Sequence, residues 1–93
     1  MIVASVRVTL RLYAARSIKD KRQVVTSVRE RLRNRFNLSV AEVGSQDDWR
    51  TAELGLATVA SDGVGIDKTI DAVTRFLDDD VRFELVERDV QRH

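Results

Sequence analysis

Hydrophobic and polar residues alternate from the start of the chain. Ile2, Val6, Val8, Leu10 and Leu12 hold one phase and Val3, Ser5, Arg7, Thr9 and Arg11 the other, the pattern of a strand with one buried face. The period lengthens at Ser17. Ser17 and Asp20 stand at capping-box spacing, and Ile18, Val25, Val28, Leu32 and Phe36 then recur at helical intervals, predicting a helix over about 18 to 35. Asn37, tolerant of positive φ, is expected at its C-terminal cap. Leu38 to Val43 predicts a second strand, and Ala52 to Ala60 a third beyond the polar connection Gly44 to Arg50. Ser61-Asp62-Gly63 interrupts the pattern, and Ile66, Ile70, Val73 and Leu77 stripe a second helix that Asp78-Asp79-Asp80 ends. Val81, Phe83 and Leu85 open a fourth strand reaching about Val90.

The resulting order, β-α-β-β-α-β, predicts an α+β ferredoxin-like sandwich with two helices on one face of a four-stranded antiparallel sheet. A chain of 93 residues suffices for one core that removes about 60 to 70% of the unfolded surface from water, so residues 1–93 are expected to form one domain. The fold hosts RNA readers, metal chaperones, sensors and enzymes, and side chains must choose among them.

Composition removes several of these. Cysteine is absent and the single histidine is His93, so no thiolate metal site, cysteine nucleophile or Ser/His/Asp triad is expected. The loop after the first strand, Tyr13-Ala14-Ala15-Arg16-Ser17, lacks the paired cysteines of a metal chaperone, and no carboxylate stands near Leu10 to Tyr13 to hold a hard cation. An RNA-recognition motif stacks bases on sheet aromatics, but the outward phase of the first strand reads Ser5, Arg7, Thr9, Arg11. Gly63-x-Gly65 is followed by Lys68 where a dinucleotide fingerprint needs glycine. No catalytic residue, cofactor or metal is expected, and no apolar run approaches the roughly 18 residues of a membrane span. A cytoplasmic, non-enzymatic protein is the expectation.

Charge gives the strongest lead. Eight of the sixteen Lys and Arg residues fall between Arg16 and Arg35, against Asp20 and Glu30 alone, while the rest of the chain holds eight basic and thirteen acidic residues. At 100° per residue, Arg29, Arg22, Arg33 and Lys19 share one flank of the helix, and Arg31 and Arg35 the other. Near the C-terminal end the helix dipole favours Arg31, Arg33 and Arg35 by some tenths of a kcal/mol each. Arg16, Lys19, Lys21 and Arg22 crowd the opposite end, where the dipole disfavours them. One explanation is internal: Asp67, Asp71 and Asp78 to Asp80 on the second helix could neutralise the first through surface ion pairs. The other is an anionic partner, with a phosphate held by Arg16, Ser17, Lys19, Lys21 and Arg22 and a backbone followed along Arg29 and Arg33. Arg7 and Arg11 on the open sheet face could extend that surface.

The blocks Ala15-Arg16-Ser17-Ile18-Lys19-Asp20-Lys21-Arg22, Arg31 to Val43, Gln46-Asp47-Asp48-Trp49 and Leu54-Gly55-Leu56-Ala57 resemble the YlxP-like bacterial family of domains of unknown function, in order and over nearly the whole chain. The resemblance implies a ferredoxin-like fold and a bacterial cytoplasmic protein. It implies no activity, and its context, beside translation and ribosome-maturation genes, points toward RNA. Asp62-Gly63-Val64-Gly65 departs from the charged start usual for the family's second helix. Trp49 and Asp47 are expected at a packing or subunit contact, with Asp47 capping the turn. The expected partner is RNA or the ribosome. The competing readings are a structural or protein-interaction module, with a homodimer covering the open sheet face or the exposed strand edge, and a small-anion sensor.

Overall fold

The computed structural model describes all 93 residues. It contains β1 (Ile2–Leu12), α1 (Ile18–Arg35), β2 (Ser39–Gly44), β3 (Thr51–Ala60), α2 (Gly63–Asp78) and β4 (Phe83–Arg92). The strands form one antiparallel sheet ordered β2-β3-β1-β4, and both helices cover one face of it. This is the ferredoxin-like α+β sandwich that the element order predicts.

β1 lies inside the sheet because every second residue is apolar and its register matches that of β3. Val6, Val8 and Leu10 face Leu56, Leu54 and Ala52 across the ladder, and all six are buried. Ala4 takes the buried place expected for Ile2, which is only half-buried. Onto this surface α1 sets Val25, Val28 and Leu32, and α2 sets Ile66, Ile70, Val73 and Leu77. Phe83 of β4 closes the core. Burying each of these larger side chains contributes roughly 1.5 to 3 kcal/mol.

Each edge strand carries one irregularity. On β4 the register skips Val86, since Thr9 pairs with Glu87 and Leu10 with Leu85. The extra residue reverses the alternation beyond it. Arg88 and Arg92 therefore face α2, where they bond Thr74 at 2.8 Å and Asp67 at 2.7 Å. On β2 the register skips Val43, whose side chain lies over Gly55; a Cβ there would meet Val43 Cγ1 at 2.8 Å.

Two local expectations fail. α1 ends at Phe36 in extended conformation, φ −130°, with its N–H bonded to Leu32 O. Asn37 has no positive φ, because the chain passes straight into β2 and Phe36 turns its ring to Phe76, 5.9 Å away edge-to-face. Val81 is 89% exposed and β4 begins at Phe83, because Asp80 accepts both the backbone and side-chain N–H groups of Arg82 and holds this stretch as a turn.

Candidate functional site

The first turn of α1 is closed by its own side chains. Ser17 Oγ accepts from Asp20 N at 3.1 Å, and Asp20 Oδ2 accepts from Arg16 N at 3.0 Å. This is the expected box displaced by one residue, since the carboxylate reaches Arg16 rather than the cap itself. Ser17 is thereby committed as the N-cap of α1. Arg16, Lys19 and Arg22 stand around it, exposed.

Lys21 is a correction to the sequence reading. It is 2% exposed, and its Nζ donates to Ser45 O and, at 2.7 Å, to Asp48 O, with Glu42 Oε2 at 3.2 Å. No external phosphate can reach it. Lys21 instead fixes the β2–β3 connection. Ser45 there holds φ 55°, the one positive φ among non-glycine residues, and donates from Oγ to Glu53 Oε2 at 2.7 Å. Glu53 in turn receives Arg7 at 3.1 Å, and the Ser45 hydroxyl first, then Arg7, hold its carboxyl below the ordinary value of 4.5. The signal was present in the sequence. Lys21 precedes Val25 by four residues and Val28 by seven, and Glu42 shares the phase of buried Val40, so both periods turn these two side chains inward.

The two flanks of α1 meet different surroundings, as the helical angles require. Toward β2, Arg33 donates to Val40 O at 3.2 Å, and Arg29 is half-buried with its Nε lacking a partner. Toward α2, the guanidinium groups of Arg31 and Arg35 lie 5.7 and 5.4 Å from the Phe76 ring centroid, a cation–π arrangement. Phe76 was not among the expected site residues. The cleft there also includes Arg75 and Asp79. Between the flanks, the outer face carries Gln23, Thr26, Glu30 and Asn34, all exposed.

Five ion pairs form in the molecule: Arg7–Glu53, Arg11–Glu84, Lys21–Glu42, Arg82–Asp80 and Arg92–Asp67. Lys21 is the only basic residue of α1 among them. Neutralisation of α1 by α2, one of the expected explanations, does not take place through contact. Asp67 and Asp80 are engaged by arginines of β4 and of the turn before it, while Asp71, Asp78 and Asp79 are unpaired. The carboxyl of Asp80 lies below its ordinary value of 3.8, mainly because of the hydrogen bonds from Arg82, with a smaller through-space pull from Arg31. On the open sheet face Arg7 is paired with Glu53 at 3.1 Å and Arg11 stands 4.0 Å from Glu84.

In the β2–β3 connection the capping carboxylate is Asp48, not Asp47. Asp48 Oδ1 accepts Arg50 N at 2.9 Å. Asp47 is exposed and borders a small polar groove with Lys21, Arg22, Glu42 and Gln46. Trp49 is half-buried with the Arg50 guanidinium 4.6 Å above its ring. No helix is long and apolar enough to cross a membrane.

Residues 3–90 match the family model described as "Protein of unknown function (DUF503)". The chain belongs to the DUF503 family. Within it, the chain is 37% identical over 81 residues to the "Uncharacterized protein YlxP" of Bacillus subtilis (strain 168), a match covering 87% of this chain and 85% of that protein. The YlxP-like resemblance is thus confirmed. Membership in DUF503 assigns no chemistry.

Proposed function

We propose that this DUF503 protein is a cytoplasmic binding module, not an enzyme, that engages RNA phosphates through α1, with ribosomal RNA as one source of such a partner. One observation carries the reading. Arg16, Lys19, Arg22, Arg29, Arg31, Arg33 and Arg35 make no ion pair and lie in one twenty-residue segment, whereas four of the eight basic residues elsewhere, Arg7, Arg11, Arg82 and Arg92, are paired. Clustered cations without counter-charges raise the local concentration of polyanions and gain binding free energy by releasing their counterions. The dipole offsets the cost for Arg31, Arg33 and Arg35, but it opposes Arg16, Lys19 and Arg22 at the other end.

Contacts of this kind give binding dominated by phosphate, sensitive to salt and weak in sequence preference. The test is a filter-binding titration with structured RNA over a range of salt concentrations. Arg22→Glu combined with Arg29→Glu is expected to weaken binding and flatten the dependence of log K on log salt. No binding at about 50 mM salt, or binding indifferent to both substitutions, would overturn the reading; selective capture of an acidic protein would replace it with a protein interface.

A further inference from the structure

The cations of α1 form two rows with an exposed strip of polar residues between them, one of which, Glu30, is a carboxylate. One row, Arg22, Arg29 and Arg33, runs along the β2 side and is tied down where Arg33 bonds Val40 O. The other, Arg31 and Arg35, runs along the α2 side and is held by the Phe76 ring. The rows lie on opposite flanks of a helix about 10 to 12 Å across with its side chains. Gln23, Thr26, Glu30 and Asn34, spaced three or four residues apart, present amides, a hydroxyl and a carboxylate between them.

Single-stranded RNA is gripped chiefly by stacking its bases on open aromatic faces. Those faces are scarce here. Phe83 is buried, the Trp49 ring is covered by Arg50, and Phe76 is engaged by two guanidinium groups and the edge contact with Phe36. Tyr13 alone offers an exposed ring, enough for one base. A duplex needs no such platform. A-form RNA presents two rows of phosphates bordering a wide, shallow minor groove lined with 2′-hydroxyls, which donate and accept hydrogen bonds.

B-form DNA fits less well. Its minor groove is about 6 Å wide, too narrow for a helix, and its major groove is about 8.5 Å deep. α1 cannot enter a groove of that depth, because Val25, Val28 and Leu32 are buried against the sheet and both its flanks are held by neighbouring elements. The outer strip projects, with the exposed Arg22 and Arg33 along one side of it and Arg31 and Arg35 along the other.

Resting on the RNA reading above, we infer that the partner is double-stranded RNA, bound with α1 along the minor groove, the two arginine rows on the phosphates of opposite strands and Gln23, Thr26 and Asn34 on 2′-hydroxyls. Fluorescence anisotropy with the full chain tests this, using an RNA duplex of about 16 base pairs, each of its separated strands chosen to lack self-structure, and the DNA duplex of the same sequence. The RNA duplex is expected to bind about tenfold or more tightly than the other three. Arg31→Gln with Arg35→Gln is expected to lower the salt slope by about 2. Gln23→Ala with Thr26→Ala, both on the exposed face and remote from the core, is expected to weaken the RNA duplex while leaving its salt slope unchanged. Equal binding of the strands, or of the DNA duplex, would overturn the duplex inference and leave the RNA reading standing. Absence of binding to every RNA would overturn both.

Discussion

α1 and α2 lie on the same face of the sheet and each buries four side chains, yet they treat charge in opposite ways. The buried stripe of α2 is wholly apolar, Ile66, Ile70, Val73 and Leu77. That of α1 includes Lys21 beside Val25, Val28 and Leu32. Outside the core the contrast reverses. α2 has a long neighbouring strand whose bulge at Val86 aims Arg88 and Arg92 at it, so Thr74 and Asp67 find partners. α1 borders the six-residue strand β2, which offers one carboxylate, Glu42, and Lys21 takes it. The arginines outside are left without acids because the strand that could supply them is short and its single acid faces inward. For α1, the chemistry of the neighbouring strand, not the overall balance of Asp and Glu, leaves the outer cations free.

The largest test of that contrast removes the inward charge. Lys21→Met leaves Glu42 without its counter-charge and the carbonyls of Ser45 and Asp48 without their donor, and is expected to cost about 3 to 5 kcal/mol in urea unfolding. Arg22→Ala, one position along but exposed, is expected to change stability by no more than about 0.5 kcal/mol. Adding Glu42→Leu to Lys21→Met should restore part of the loss, since removing both partners of a buried pair costs less than removing one. Equal effects at 21 and 22 would contradict the division of α1 into an inner and an outer set.

A smaller effect is expected where the chain after α2 secures its own acid. Asp80 is largely buried and receives several hydrogen bonds from Arg82, so Asp80→Asn should cost about 1 to 3 kcal/mol near neutral pH. Its folded-state carboxyl titrates below the ordinary 3.8, so the unfolded chain takes up this proton first. The stabilisation is complete above that value and is lost as pH falls through the lowered one. Thermal unfolding followed from neutral pH into this acid range should show a shallower acid decline in Asp80→Asn than in the natural chain.

Smaller still are the two N-caps. Ser17 and Asp62 each accept one helix N–H, from Asp20 and Gly65. Alanine at either is expected to cost about 1 kcal/mol. Ser17→Ala should leave RNA affinity nearly unchanged, because its hydroxyl serves the helix; a large loss of affinity with little loss of stability would return Ser17 to the anion site.

Much of the fold is written in two periods, the alternation of Ile2 to Leu12 and the helical recurrence of Val25, Val28 and Leu32, with turns marked by polar residues. The same periods hold the buried Lys21–Glu42 pair, which is easily missed when charge alone is taken as a sign of exposure. The flanks of α1 were legible because helical angle fixes them. What lies opposite each flank was not. The side-chain pairing of Arg31 and Arg35 with Phe76 depends on how far apart the two helices sit on the sheet, and the freeing of the α1 arginines depends on β2 being short and on the bulge that sends the arginines of β4 toward α2. Both are set by tertiary spacing and register, which no local pattern encodes.

The outer cations of α1 are expected to hold a polyanion, and exposed charges elsewhere to contribute little to binding. The most direct measurement is the salt dependence of RNA binding for the natural chain, for Arg22→Glu with Arg29→Glu on α1, and for Lys68→Glu on the exposed side of α2. A steep slope is expected for the natural chain, falling by about 2 in the α1 variant and unchanged in the α2 variant, with both proteins folded by circular dichroism. A slope that is flat from the start, or one reduced as much by Lys68→Glu as by the two changes on α1, would contradict that expectation.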